Sequence, residues 1–262
     1  MIRVLYIGDV VGQPGRRALH QKLETVIDRE RVDFTIVNIE NAAGGFGVTE
    51  AIIHELSDLP INAYTSGNHI WDKKDFVDNY EHYPHVIRPA NYPAGNPGKG
   101  VVVRQTAGGV DVAVLQFMGN VFMPPCDNPF HCADRELKAL DPKIKVIVAD
   151  IHCEASSEKQ AFGRYLDGRV SVVVGTHTHV PTADERILPN GTAFQTDVGM
   201  TGAYDSAIGF RPDEALHRFL YNTPRKLEVA KRDIRLSGAI VDVDETTGRA
   251  SAIVRVSEKV DD

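Results

Sequence analysis

A chain of 262 residues that is 42% apolar and 25% charged can bury a full two-layer core, and it lies near the top of the single-domain range. Its formal net charge of −7 argues against a nucleic-acid binder driven by electrostatics, while leaving room for an anionic substrate met by bound cations. The three cysteines, Cys126, Cys132 and Cys153, make no disulfide framework; with no secretory signal, they indicate a reducing, cytoplasmic setting.

Residues 2–7 form a near-continuous apolar run with Arg3 inside it. The run is too short for a signal peptide or a membrane span, so it is expected as the first strand. Residues 8–15 are rich in turn formers and read as a loop. Pro14 near the first helical position, with Leu19, Leu23 and Ile27 at helical spacing, predicts a helix over 16–30. A second strand is expected at 34–39, a glycine-rich loop at 42–47, a helix at 49–56, a short strand at 63–66 and the start of a helix at 72–79. This alternation is the pattern of crossover units on a parallel sheet. Residues 84–100 hold four prolines and three glycines and read as an irregular excursion. Residues 100–104 and 110–117, joined through Gly108-Gly109, read as an antiparallel hairpin, and 124–129 as a loop. Buried strands resume at 144–150 and 170–174. A further segment at 193–197, a helix near 212–221 and strands near 238–243 and 250–256 complete the chain. No repeat or linker interrupts it. The expectation is one α/β domain over residues 1–262, a two-sheet sandwich with helices outside.

Chemistry concentrates at the strand ends, where α/β sheets bind ligands. Gly175-Thr176-His177-Thr178-His179 follows an apolar run, and if the strand persists its two imidazoles point to one side. Asp9, Glu40-Asn41, Gly67-Asn68-His69 and His152 stand at other strand ends. Each has a plainer reading. Asp9 suits a turn or cap, Glu40-Asn41 a loop, Asn68-His69 an Asx turn, and His152 a satisfied core histidine. All of these must hold together for a site to vanish. Carboxylate, amide and imidazole donors together suit Mn or Fe better than a structural zinc. Cys153 beside His152 should face the core by strand alternation. Gly44, Gly45 and Gly47 could bring backbone close to a phosphate, without the lysine-serine pair of a P-loop. Phe46, Phe117, Phe122, Tyr204 and Phe210 are the candidates for a base-stacking platform.

The order Gly8-Asp9, Glu40-Asn41, Gly67-Asn68-His69, His152, Gly175-Thr176-His177-Thr178-His179 resembles the calcineurin-type metallophosphoesterases. Two departures stand out. Val11 occupies the place of the usual histidine, and Glu40-Asn41 that of the usual Gly-Asp. With Ile7-Gly8-Asp9-Val10-Val11-Gly12 and Gly67-Asn68-His69-Ile70-Trp71-Asp72, the chain is similar to the bacterial YmdB-like phosphodiesterases, over motifs from Met1 to about Gly209.

The resemblance implies a metallophosphoesterase-like fold and hydrolysis of cyclic nucleotides, 2′,3′-cyclic foremost and 3′,5′-cyclic as an extension, by metal-activated hydroxide. It implies two divalent or mixed-valence ions, Fe or Mn. Asp9, Asn41 and His179 would hold one, and Asn68, His152 and His177 the other, with Glu40 bridging. Asn41 would replace the ligand lost at Val11. His69 would face substrate and protonate the leaving oxygen or stabilise phosphoryl charge, or else orient Asn68 or a water. Two cations about 3.5 Å apart acidify a shared water and clamp the phosphate for in-line attack, so no serine or cysteine nucleophile is needed. The rival readings are an RNA nuclease or phosphoprotein phosphatase on the same site, and a regulatory protein acting through partners. No membrane partner is expected, and self-association stays open.

Overall fold

The structure, a computed structural model, describes residues 1–261. In chain order its strands and α-helices are β1 (Ile2–Ile7), β2 (Asp9–Val10), α1 (Gly12–Glu30), β3 (Phe34–Asn38), α2 (Glu50–Leu56), β4 (Ala63–Thr65), α3 (Lys74–Asp78), β5 (Val101–Gln105), β6 (Asp111–Met118), α4 (Pro129–Ala139), β7 (Val146–His152), α5 (Ser156–Leu166), β8 (Val172–Thr176), β9 (Arg186–Ile187), β10 (Ala193–Gln195), β11 (Met200–Ala203), α6 (Pro212–Tyr221), β12 (Ile234–Val243) and β13 (Ala250–Lys259).

Two sheets form. One has seven strands in the order β2-β11-β12-β1-β3-β4, with β13 on the far edge of β12; the other has six, β5-β6-β7-β8-β10-β9. Strands β1, β3 and β4 run parallel, as do β6, β7, β8 and β10. The alternation of each buried strand shows why two sheets stack. In β1, Ile2, Val4 and Tyr6 face the second sheet, while Leu5 and Ile7 face α1. In β6, Val112 and Val114 meet the first sheet, while Ala113, Leu115 and Phe117 pack under α4 and α5. Strands covered on both faces read as continuous apolar runs for this reason. The layers are helix, sheet, sheet, helix, the sandwich expected from the sequence.

Several local expectations are corrected. The loop at 8–15 is largely absent: Asp9–Val10 pairs with β11, and α1 begins at Gly12. The Val11 amide donates to the Thr201 carbonyl at 2.9 Å and the Gly12 amide to that of Asn41 at 2.9 Å, so the entry to the helix is pinned from two sides. The helix expected over 72–79 is shorter. A 3-10 turn, Asn68–Trp71, comes first, and α3 covers only Lys74–Asp78. Helices α4 and α5 and the short strands β2, β9 and β11 add to the expected set. Among the described residues no helix is long and apolar enough to cross a membrane.

Candidate metal centre

The C-terminal ends of β1, β3, β4, β7 and β8 converge at one end of the sandwich. Asp9, Glu40, Asn41, His152 and His179 are buried there. Around His152 Nε2 stand Glu40 Oε1 at 3.0 Å, Asn68 Oδ1 at 3.1 Å and His177 Nδ1 at 3.1 Å. One N–H can donate to only one of these lone pairs. A shared cation would accept all of these lone pairs. Glu40, His152 and His177 form one group whose ligand atoms lie within 4.8 Å of one another; Asp9, Glu40 and His179 form a second. Glu40 belongs to both.

Two buried oxygens test whether a cation fits. Asp9 Oδ1 and Asn41 Oδ1 have no hydrogen-bond partner. Leaving such atoms unmatched in a buried site is unfavourable, and a bound cation would relieve it. The rest of each group is occupied. Asp9 Oδ2 accepts the His177 amide at 3.0 Å, and Asn41 Nδ2 donates to the Gly45 carbonyl at 2.8 Å. The glycine-rich loop therefore folds back on Asn41 and fixes which end of its amide is free. The residues fit a cation-binding centre. Gly67 is required by close approach, since a Cβ there would strike Glu40 Oε2 and His152 Nε2.

Each imidazole is oriented through its outer nitrogen, the arrangement that leaves the inner one free to ligate. Thr176 Oγ1 donates to Asp150 Oδ1 at 2.7 Å, so the same oxygen accepts from His152 Nδ1 at 2.8 Å. Asp150 is itself buried and accepts from Tyr6 Oη at 2.6 Å and Gln116 Nε2 at 2.9 Å. His179 Nδ1 donates to the Ile208 carbonyl at 2.8 Å. His177 Nε2 lies 3.3 Å from Glu154 Oε2. The strand does not persist through His179: β8 ends at Thr176, and His177 and His179 take φ of 94° and 65°. Their convergence comes from a strained turn rather than from strand alternation.

The electrostatics record the crowding. Burial pushes Asp9 up to about 6. Burial also raises Glu40, but the neighbouring His152 outweighs it and holds the carboxyl at about 2. His152 is lowered by burial and raised by Glu40, with a net rise to about 9. Burial, then His152, lowers His177 to about 3. Buried acids and bases pushed apart in this way are typical of functional sites.

What holds the strained turn was not read from the sequence. Lys159 on α5 is buried, and its ammonium donates to the Thr176 carbonyl at 2.7 Å and to Asp197 Oδ2 at 2.6 Å. The same Asp197 oxygen accepts from Thr178 Oγ1 at 2.7 Å, and Oδ1 accepts the Gly199 amide at 2.8 Å. Lys159 and Asp197 are 38 residues apart, so no local motif signals the pair. Asp150 did carry a signal: it lies two residues before His152 in a strand, hence on the same face. Lys159→Met strands a buried carboxylate and should destabilise the fold by about 3–5 kcal/mol. Denaturant unfolding of the variant checks this, and a loss under 1 kcal/mol would deny the brace.

His69 stands apart from the two groups and lines a cleft of about 650 Å³ with Glu40, Asn41, His177 and His179. Its Nδ1 lies 2.9 Å from Asp72 Oδ2, and its ring packs T-shaped against that of Phe46, with centroids 5.0 Å apart and planes 68° apart. Among the aromatic candidates, Phe46 and Phe210 line the cleft. Phe117 is a core residue, Tyr204 Oη donates to the Met200 carbonyl at 2.9 Å, and Phe122 is exposed outside the cleft. Cys153 is a buried core thiol, as alternation required, and all three cysteines are free.

The model of a family described as YmdB-like protein matches residues 5–256. A 2′,3′-cyclic-nucleotide 2′-phosphodiesterase of Bacillus subtilis is 46% identical over 255 residues, 97% of this chain and 96% of that protein. A crystal structure of a hypothetical protein from Thermus thermophilus superposes with a TM-score of 0.92 at 41% identity, covering 98% of this chain and 99% of that one. The crystal structure of a phosphatase from Mycoplasma pneumoniae gives 0.91 at 31% identity, covering 98% and 94%. Sequence and fold agree over nearly the whole length, and the chain belongs to the YmdB-like family.

Proposed function

We propose that the chain is a dinuclear metal-dependent phosphodiesterase, a hydrolase of phosphoester bonds acting on 2′,3′-cyclic nucleotides. One observation carries the reading: two clusters of metal-type donors share Glu40, flanked by the unpartnered oxygens of Asp9 and Asn41. The name of the Bacillus subtilis relative supplies the substrate class. We take residues 1–262 as a single metallophosphoesterase-like domain working in the cytoplasm.

Asp9, Asn41 and His179 would hold one ion and Asn68, His152 and His177 the other, with Glu40 shared between the two donor clusters. Neutral amide and imidazole donors with only two carboxylates suit Fe or Mn. When bound, the ions supply positive charge for the phosphoryl oxygens and acidify a water. The protein supplies the rest. Asp9 and Glu40 balance the charge of the centre, and the oriented imidazoles keep its shape. His69, with Nδ1 held by Asp72, offers Nε2 to the ester. A water oxygen bonds to phosphorus and releases a proton to solvent, the P–O2′ bond breaks with its electron pair on O2′, and His69 gives its proton to that oxygen, leaving a 3′-monophosphate and a 2′-hydroxyl; solvent then reprotonates His69. The tethered leaving oxygen and the strained five-membered ring lower the demand on the enzyme.

A nuclease acting on long RNA is the second reading of the same centre. The net charge of −7 disfavours it, because a polyanion needs a cationic track. Steady-state kinetics on 2′,3′-cyclic AMP, 3′,5′-cyclic AMP, a linear diester and an RNA oligomer test the choice. The expected order places 2′,3′-cyclic AMP first in kcat/KM. A higher value for the oligomer, falling steeply with salt, would make the protein a nuclease.

A further inference from the structure

Phosphoryl chemistry needs no apolar wall, yet the cleft has one. Beside the polar set it is lined by Phe46, Ile208, Phe210, Phe219 and Leu227. Phe210 is buried and stacks behind Phe46, with centroids 5.2 Å apart and planes 20° from parallel. Phe46 thus presents a backed, rigid ring next to His69. Phe219 lies on α6, a helix with no buried residue, and its side chain is 87% exposed. An exposed phenyl ring at the mouth of a reactive cleft contributes nothing to the core.

The wall is tied to the metal centre by one turn. Ala207 and Phe210 exchange backbone hydrogen bonds of 2.9 and 3.0 Å, and between them Ile208 and Gly209 take φ of 49° and 98°. Positive φ in a β-branched residue is a costly conformation, kept only when its surroundings dictate it. Here the Ile208 carbonyl fixes His179 while the same turn delivers Phe210 to Phe46. Gly45, with φ of 98°, leaves room for this approach, since a Cβ would stand 2.7 Å from Phe210 Cε1.

We propose that this wall is a nucleobase seat, with Phe46, backed by Phe210, as its floor and Phe219 as its lid. The proposal rests on the cyclic-nucleotide reading above and names the part of the substrate it had left unassigned. The seat adjoins His69, so a base lies there while its phosphodiester reaches the metal-type residues. The cleft of about 650 Å³ is within the range of small-ligand sites. Flat phenyl faces accept any base by stacking, so the seat selects for the presence of a base rather than its identity.

The test compares binding of 3′-AMP and of ribose 3-phosphate by calorimetry, for the metal-loaded wild type and Phe219→Ala. The side chain is exposed, so its loss leaves the fold intact. Wild type should prefer 3′-AMP by roughly tenfold or more, and Phe219→Ala should lose most of that preference, in line with the worth of one stacked base. Equal binding of the two ligands by wild type, or an unchanged preference in the variant, overturns the seat. So does a change in oligomeric state by light scattering with the preference intact, which would assign Phe219 to a contact between copies. Turnover is scored separately. A base-dependent affinity without hydrolysis of cyclic nucleotides would retain the seat and reject the phosphodiesterase reading.

Discussion

Glu40→Ala is expected to lower turnover of 2′,3′-cyclic AMP by at least about 10³-fold, beyond the loss from removing a single oxyanion donor. Glu40 belongs to both donor clusters, so its loss takes a carboxylate from each and leaves Asp9 as the one carboxylate remaining in the two groups. Removing Glu40 leaves His152 without its main anionic partner and takes negative charge from both donor clusters at once. Glu40→Gln should fare little better, because the shape returns without the charge. Circular dichroism establishes that each variant is folded, and steady-state kinetics give the loss. Retention of a tenth of wild-type kcat by either variant would deny the bridge.

His69→Ala should act differently. Its ring is outside the two donor clusters and faces the cleft, so metal content should stay at the wild-type level. Turnover of a cyclic nucleotide should fall by roughly 10²–10⁴-fold, the usual contribution of a general acid. A nitrophenyl ester has a leaving group that needs little protonation, and its loss should be smaller. Asp72→Asn should reproduce part of the effect, since it weakens the contact that holds Nδ1. Equal losses on good and poor leaving groups would assign His69 to charge stabilisation or water orientation instead of proton donation.

The sequence made the layered fold legible because its central strands are buried on both faces. Runs such as residues 2–7 and 170–174 need no alternation to be recognised, and their order along the chain implied the crossovers. The glycine pair at 108–109 marked the hairpin β5–β6 in the same direct way. Helix α4 was also within reach: Asn128 accepts from the amides of Phe130 and His131, and Pro129 follows it at the first helical position. Helix α5 is harder, because its buried face includes Lys159 and Gly163 and so lacks a clean apolar stripe. Strands of two to four residues, such as β2, β9 and β11, carry no period at all.

The donors were legible for a different reason. Metal-type side chains at strand ends are conspicuous one by one, and the fold brings Asp9, Glu40, His152, His177 and His179 together as their positions implied. Their aim was not legible. The left-handed turn at His177 and His179 depends on Lys159 and Asp197, which come from another helix and another strand end. The free oxygen of Asn41 depends on the Gly45 carbonyl, and the seat of His179 depends on Ile208. These are contacts of the assembled fold, and no spacing along the chain encodes them.

Counting metal ions per chain tests the central claim most directly. The purified protein, loaded with Mn or Fe and freed of loose metal, should hold two ions per chain by elemental analysis. Titrating ions back into metal-stripped protein should restore cyclic-nucleotide hydrolysis in proportion to occupancy of the pair. A fully active protein with a single ion per chain, or one whose activity survives complete removal of metal, would contradict the account.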